Sequence, residues 1–167
     1  EKFFKKSWQN LEMDLVYDVA HNIAKIETHL VDGNQKTLCV HRKGATRSFG
    51  PGARKDLPIR YRDTGQPVII PGDMGRASYL LVGTAKAESE TFGSTCHGAG
   101  RIFSRHQALR DLSAQDISNQ LDEKGIQVRA GSKKSLVEEA PQVYKNVDDI
   151  VNVVDNAGIS LKVCRLR

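Results

Sequence analysis

The sequence predicts an α+β domain in which a mixed sheet packs with helices. Short apolar, β-branched runs of strand length alternate irregularly with stretches whose apolar residues recur every three or four positions. The order follows no regular βαβ rhythm, and the chain contains no internal repeat or low-complexity tract. At 167 residues, of which 39% are hydrophobic, the chain can form one domain or a large part of one.

The first half of the chain is predicted to be mostly strand and loop, with one helix. We predict a strand over 15–20, a helix over 23–29, a strand over 36–41, a loop over 42–56 and a strand over 78–83. The helix depends on the spacing of Ile23, Ile26 and Leu30, which places them on one helical face. The apolar run 66–71 is bounded by prolines, and 72–75 is predicted to be a turn.

The second half is predicted to be mainly helical. We predict that the chain enters a helix over 98–112, forms helices over 117–124 and 148–156, and forms strands over 126–129 and 160–166. Gly125 and Gly158 follow the second and third helices and are typical helix-ending residues. The last strand runs almost to the end of the chain.

Charge and cysteine content narrow the functional classes. The net charge is +5, and residues 41–67 hold seven Lys or Arg against two Asp, so the excess lies in one Gly- and Pro-containing segment. This distribution favours a polyanionic partner, although a solvated basic loop is the alternative. No run approaches the roughly 20 apolar residues of a membrane span, so we expect no membrane partner. The three widely spaced cysteines indicate a reducing, cytoplasmic location.

A glycine-rich loop around His97 is the strongest candidate for chemistry. Cys96 precedes this histidine, and the run Gly98-Ala99-Gly100-Arg101 follows it. Exposed peptide N–H groups in such a loop can bind an anion, and a helix beginning beneath the glycines would favour phosphate. Arg101 and Arg105 would then share a helical face. The histidine could be a nucleophile, a general acid or base, or a metal ligand; a tightly packed structural turn is the alternative.

The other histidines are weaker candidates. His21 is predicted to lie where a strand meets a helix, as a metal ligand or as a cap for the helix. His29, His41 and His106 are expected to be structural or solvated. In the turn 71–75, Asp73 could accept hydrogen bonds from a ligand, but an ordinary strand connection explains this motif equally well.

Seven segments of the chain resemble one known family. They are residues 18–25, 41–47, 65–68, 94–101, 139–141, 144–145 and 165–167. They resemble RtcB, the GTP-dependent RNA-splicing ligase, in order and over almost the whole chain. The resemblance implies an RtcB-like α+β fold, of which residues 1–167 would be the C-terminal part of a larger single fold.

The resemblance also implies an activity. The family joins RNA 2′,3′-cyclic phosphate or 3′-phosphate ends to 5′-hydroxyl ends, in tRNA splicing or RNA repair, using GTP and manganese. The residue matching His97 attacks the α-phosphate of GTP and becomes guanylylated; the guanylate then passes to the RNA 3′-phosphate. Tyr144 matches a residue near the guanine, and His21 matches a manganese ligand that also lies at the nucleotide. The further residues that match nucleotide contacts are Asn22, Pro71, Gly72, Asp73, Met74, Ser78, Gly98, Ala99 and Gly100. Lys43, Arg47 and Arg105 match plausible contacts to RNA phosphates.

Two departures from the family pattern matter. The family commonly has Ser or Thr where this chain has Asp73, and an ionised carboxylate accepts hydrogen bonds but cannot donate them. An Asp, a Cys and two His that complete the manganese site, and a lysine beyond Arg167, have no counterpart in residues 1–167. We therefore expect the N-terminal part of the same protein to be a required partner, and residues 1–167 alone to be inactive.

Two other readings remain open from the residues. One is a metal-dependent phosphohydrolase or nucleotidyltransferase that uses His97 without ligation. The other is a non-catalytic RNA-binding fragment that uses the basic segment 41–62.

Overall fold

A computed structural model describes residues 2–52 and 57–167, and within them the predicted α+β class is confirmed. The basic residues Arg54 and Lys55 lie outside the described residues. Every strand pairing in the described sheets is antiparallel. No described helix is long and apolar enough to cross a membrane.

A long β-hairpin contains the first two strands of the chain. β1 (Asn22–Val31) pairs with β2 (Asn34–Lys43) along their full lengths, from Asn22 opposite Lys43 to Val31 opposite Asn34. Asp32 and Gly33 form the two-residue turn with φ values of 53° and 76°, as expected of a tight hairpin turn of the Asp-Gly type. The predicted strand 36–41 is confirmed.

The predicted helix over 23–29 is wrong, because these residues belong to β1. Ile26 and Leu30, which suggested a helical face, are 72% and 63% exposed, whereas Glu27 and His29 are buried. Burial therefore follows a period of two rather than of 3.6. The predicted strand over 15–20 is also wrong: this segment has no regular structure, and donors from Arg60 and Tyr61 satisfy its Val16 carbonyl.

A three-stranded sheet forms the main core. It consists of β4 (Pro67–Ile70), β5 (Ser78–Gly83) and β7 (Ser160–Leu166), with β5 in the centre, and confirms the predicted strands 78–83 and 160–166. One face is covered by a later helix, Val147–Asn156, which matches the predicted helix over 148–156. The buried contacts of this core involve Val68, Ile70, Leu81, Val147, Val151 and Val154.

A short two-stranded sheet carries the chain into the glycine-rich loop. β3 (Ala45–Arg47) pairs with β6 (Ser94–Cys96), and the helix α1 (Ala85–Thr91) precedes β6. The predicted loop over 42–56 is therefore wrong for residues 42–43 and 45–47, which lie in strands; residues 53–56 lie outside the described part of the chain.

Three short helices form a second cluster. They are α2 (Arg105–Asp111), α3 (Ala114–Glu123) and α4 (Lys133–Glu138), with Ile117 and Leu121 among the buried contacts. The predicted helix over 117–124 is confirmed as α3. The helix predicted from residue 98 begins only at Arg105, because the Ser104 hydroxyl accepts the Gln107 N–H and caps it there. Residues 126–129 are irregular rather than a strand. The helix Val147–Asn156, named α5, closes the helical series.

Candidate active site around His97

Two histidines from distant parts of the chain meet at the candidate site. His97 follows β6, and its ring stacks on that of His21, with 4.5 Å between centroids and 14° between planes. His21 directly precedes β1, not a helix as predicted, and its carbonyl accepts the Gly44 N–H at 3.1 Å. A Cβ on Gly44 would lie 3.8 Å from the His97 ring. The end of the hairpin therefore lies directly against the candidate nucleophile.

The environment of His97 favours its neutral form. Partial burial lowers the pKa of His97 below the ordinary 6.5, and the nearby His21 lowers it further. The imidazole consequently keeps a free nitrogen lone pair at neutral pH, which nucleophilic attack requires. In contrast, burial raises the pKa of the neighbouring Cys96 thiol, which therefore remains protonated and weakly nucleophilic.

A cavity of about 350 Å³ opens beside His97. Its lining consists of Pro71, Gly72, His97, Gly98, Ala99, Gly100, Arg101 and Tyr144. Two backbone hydrogen bonds hold these segments together: Ala99 donates to the Pro71 carbonyl at 3.2 Å, and Lys145 donates to the Gly100 carbonyl at 2.9 Å. Seven of the residues predicted to contact a nucleotide thus share one cavity. No helix begins beneath the glycines, so that part of the prediction is wrong.

Arg101 supplies positive charge at the cavity. Its guanidinium lies 5.2 Å from the centroid of the Tyr144 ring, and Nη1 donates to the Tyr144 hydroxyl at 3.2 Å and to Glu139 at 3.4 Å. Nη2 is buried and has no hydrogen-bond partner among the described residues. A buried donor without a partner fits an anionic ligand. Arg101 lies outside any helix and Arg105 is the exposed first residue of α2, so the predicted shared helical face is wrong.

The side chains of the turn after β4 mainly contact other groups of the protein. The Asp73 carboxylate is fully buried and accepts hydrogen bonds from the Gly75 N–H at 2.9 Å and from Arg76 at 2.6 Å. Met74 packs against the three-helix cluster, and the Ser78 hydroxyl accepts the Gly72 N–H at 3.4 Å. Asp73, Met74 and Ser78 are therefore not among the residues that line the cavity; they shape the turn that presents Gly72.

The predicted RNA-contacting residues are spread over several surfaces. Lys43 is exposed and pairs with the exposed Asn22 at the end of the hairpin that adjoins His21. The Arg47 guanidinium lies 4.9 Å from the centroid of the Phe49 ring, and Arg47 lines a separate cavity of about 210 Å³. Together with exposed Arg105, these residues do not form one compact cluster with the cavity lining.

The described residues do not form a complete metal site. No group of three or more His, Cys, Asp or Glu is close enough to hold a metal ion anywhere in residues 2–52 and 57–167. His21 and His97 are two imidazoles, and a stable divalent-cation site needs more ligands. The predicted ligand His21 thus requires ligands from elsewhere. His41 and His106 are exposed, as expected.

One buried ion pair near the site was missed by the sequence reasoning. Arg42, only 2% exposed, donates to both carboxylate oxygens of Glu27, at 2.9 and 2.8 Å, and His29 contacts the same carboxylate at 3.0 Å. The signal was the Asp32-Gly33 turn, which fixes a register that places residues 27 and 42 on the same face of the hairpin.

Comparison with known proteins shows the family of this chain. The family model described as tRNA-splicing ligase RtcB matches residues 1–167. Proteins named tRNA-splicing ligase RtcB from Archaeoglobus fulgidus, Methanococcus maripaludis and Thermococcus kodakarensis are 59%, 54% and 53% identical over all 167 residues. The chain spans about a third of their length, with coverage of 34%, 35% and 34%. Because the family model matches its whole length, this chain belongs to the RtcB family.

Proposed function

We propose that this chain forms the nucleotide-binding and guanylyl-transfer part of an RNA ligase that acts in tRNA splicing or RNA repair. The ligase would join RNA 2′,3′-cyclic phosphate or 3′-phosphate ends to 5′-hydroxyl ends. The observation that carries the proposal is the His97 imidazole, stacked on His21 at a cavity lined by glycine backbone and Arg101.

In the proposed reaction, an imidazole nitrogen of His97 attacks the α-phosphorus of GTP. The N–P bond forms as the bond from that phosphorus to the bridging oxygen breaks, and pyrophosphate leaves. Water first opens a 2′,3′-cyclic phosphate end, breaking the bond to the 2′-oxygen and leaving a 3′-phosphate. An RNA 3′-phosphate oxygen then takes the guanylate and regenerates His97. Finally, the RNA 5′-hydroxyl attacks the activated phosphorus, loses its proton and displaces GMP.

The cavity supports a nucleotide as the ligand. Gly98 and Gly100 lack side chains that would cover the peptide groups, and the unpartnered Arg101 Nη2 is a donor for a phosphate oxygen. Tyr144 and Pro71 would border the base or ribose. Lys43, Arg47 and Arg105 would contact RNA phosphates, and their contribution would weaken with added salt.

Manganese does not fit the described residues by themselves. We propose that His21 contributes one ligand and that the others come from parts of the protein outside residues 1–167, so that this chain alone is inactive. Bound manganese would neutralise charge on the phosphates.

Labelled GTP tests the proposal directly. The complete protein is incubated with α-³²P-GTP and manganese, and the covalent adduct is measured after denaturing electrophoresis. We expect an adduct that is lost in His97→Asn and retained in His106→Asn, a matched substitution of an exposed histidine. A Cys96→Ala variant should also keep the adduct. An adduct that persists in His97→Asn, or ligation that requires no GTP, would contradict the proposal.

A further inference from the structure

The position of the hairpin relative to His97 needs an explanation. Among the described residues, β1 and β2 form a sheet of two strands, and no third described strand pairs with that sheet. An isolated hairpin is at best marginally stable in water. Backbone pairing of Ala45 with Cys96 anchors the base of the hairpin beside β6, and side chains connect the hairpin strands themselves to the rest of the protein.

Arg42 makes the most extensive of these connections. Besides its two bonds to Glu27, Arg42 donates through Nε to the Ser94 hydroxyl at 2.8 Å and through Nη2 to the Phe92 carbonyl at 2.7 Å. Ser94 is the first residue of β6, which leads directly into His97, and Phe92 is the residue that follows α1, two positions earlier. One planar guanidinium thus ties both hairpin strands to the strand that carries the nucleophile.

The partners of Arg42 are fixed in turn. Burial alone would raise the pKa of Glu27, but hydrogen bonds from Arg42 and His29 outweigh it and keep the carboxylate charged at neutral pH. The His29 ring lies edge-on to Phe92, with 5.2 Å between centroids. Glu27 is thus the charged group paired with Arg42, and the titratable His29 contacts the same carboxylate. Breaking a buried pair by removing one member leaves an uncompensated charge.

The connection reaches His21 through the same strand end. Arg42 is two residues before Gly44, whose N–H donates to the His21 carbonyl and on which an added Cβ would lie 3.8 Å from the His97 ring. A change in how Arg42 docks on β6 would therefore move Gly44 and His21 relative to His97. We propose that Arg42, held by Glu27, is a positioning residue that keeps the His21 imidazole stacked on His97. Only its consequence for catalysis rests on the proposed function.

Nuclear magnetic resonance of the histidine rings tests the positioning. Stacked rings with centroids 4.5 Å apart should give ring-proton cross-relaxation between His21 and His97 and mutual ring-current shifts. In residues 1–167 labelled at histidine, Arg42→Lys and Glu27→Gln should weaken this cross-relaxation several-fold and move both shifts toward unstacked values. Lysine keeps the charge but cannot make the forked contacts.

Two further variants separate positioning from general destabilisation. Ile117→Ala weakens the distant helical cluster and should leave the stacking signals unchanged. Ser94→Ala removes a single acceptor, keeps the Arg42–Glu27 pair and should weaken the signals partially; it remains informative if Arg42→Lys fails to fold. Unchanged stacking in folded Arg42→Lys or in Ser94→Ala would overturn the proposal.

The complete protein distinguishes this inference from the proposed function. Arg42→Lys should slow adduct formation at least tenfold at saturating GTP, with little change in the GTP concentration for half-maximal rate, because the cavity itself is intact. If Arg42→Lys loses the stacking signals while the unsubstituted complete protein forms no adduct, the positioning role is upheld and the proposed function is rejected. If Arg42→Lys raises the GTP concentration for half-maximal rate and leaves the maximal rate of adduct formation unchanged, the positioning role is rejected.

Discussion

Gly93→Ala tests how tightly the strand before His97 is packed. Gly93 has φ of +61°, and an added Cβ would lie 2.3 Å and 2.4 Å from two ring carbons of Phe49. The Phe49 ring has no room to withdraw, since it is fully buried and the Arg47 guanidinium lies 4.9 Å from its centroid. The substitution therefore adds both left-handed backbone strain and overpacking.

Gly125→Ala supplies the matched control. Gly125 has φ of +71°, yet nothing lies within 4 Å of its added Cβ. Left-handed strain costs about 1–2 kcal/mol in either variant. Overpacking adds about 1–3 kcal/mol at Gly93 alone. We thus expect losses in unfolding free energy of about 1–2 kcal/mol for Gly125→Ala and about 2–5 kcal/mol for Gly93→Ala.

Urea unfolding of residues 1–167, followed by far-ultraviolet circular dichroism, measures both losses. If Gly93→Ala costs no more than Gly125→Ala, the Phe49 side chain is not confined as described, and the reasoning about this strand fails.

Substitutions at three other residues test the network around the site. The pKa of Glu27 lies below its ordinary 4.5, so the stabilisation from its charged form is full above that pH and is lost as the pH falls through the lowered pKa. Glu27→Gln should therefore flatten the acid dependence of the unfolding free energy. An unchanged slope would contradict this. Asp73→Ala should lower the unfolding free energy by about 1–3 kcal/mol, because the Gly75 N–H and Arg76 lose a buried acceptor. Thermal unfolding should show a smaller loss for Asp73→Ser, whose hydroxyl can accept the Gly75 N–H. Tyr144→Phe removes the hydroxyl that donates to Glu139. It should weaken GTP binding by the complete protein, measured by equilibrium dialysis. An unchanged dissociation constant would refute this.

Local composition predicted two strands of the main sheet and the helices α3 and α5, but it did not predict α1, α4 or the first strand of the hairpin. Ile23, Ile26 and Leu30 satisfy helical spacing, and only the burial of Glu27 reveals the period of a strand. That burial depends on Arg42, which is distant in sequence and supplies the compensating charge. A pattern of apolar residues cannot show where a charged pair will be buried.

The candidate cavity was more predictable than its surroundings. The glycine loop, the Pro71-Gly72 turn and Tyr144 were named from motifs in the sequence, and they line one cavity. The burial of the Asp73 carboxylate was not predictable, because it depends on the turn geometry that brings Arg76 to that carboxylate. The stacking of His21 on His97 likewise depends on long-range strand pairing.

The two sides of the site are held in physically different ways, and this difference has consequences for substitution. Backbone hydrogen bonds from Ala99 to Pro71 and from Lys145 to Gly100 fix the cavity wall, so most side-chain changes nearby leave its shape intact. On the His21 side, the Arg42 side chain adds to the backbone pairing of Ala45 with Cys96. Changes in the hairpin should therefore disturb the alignment of the two imidazoles while the cavity still binds its ligand. In such a site, a substitution can lower the rate of reaction at His97 without weakening ligand binding in the cavity.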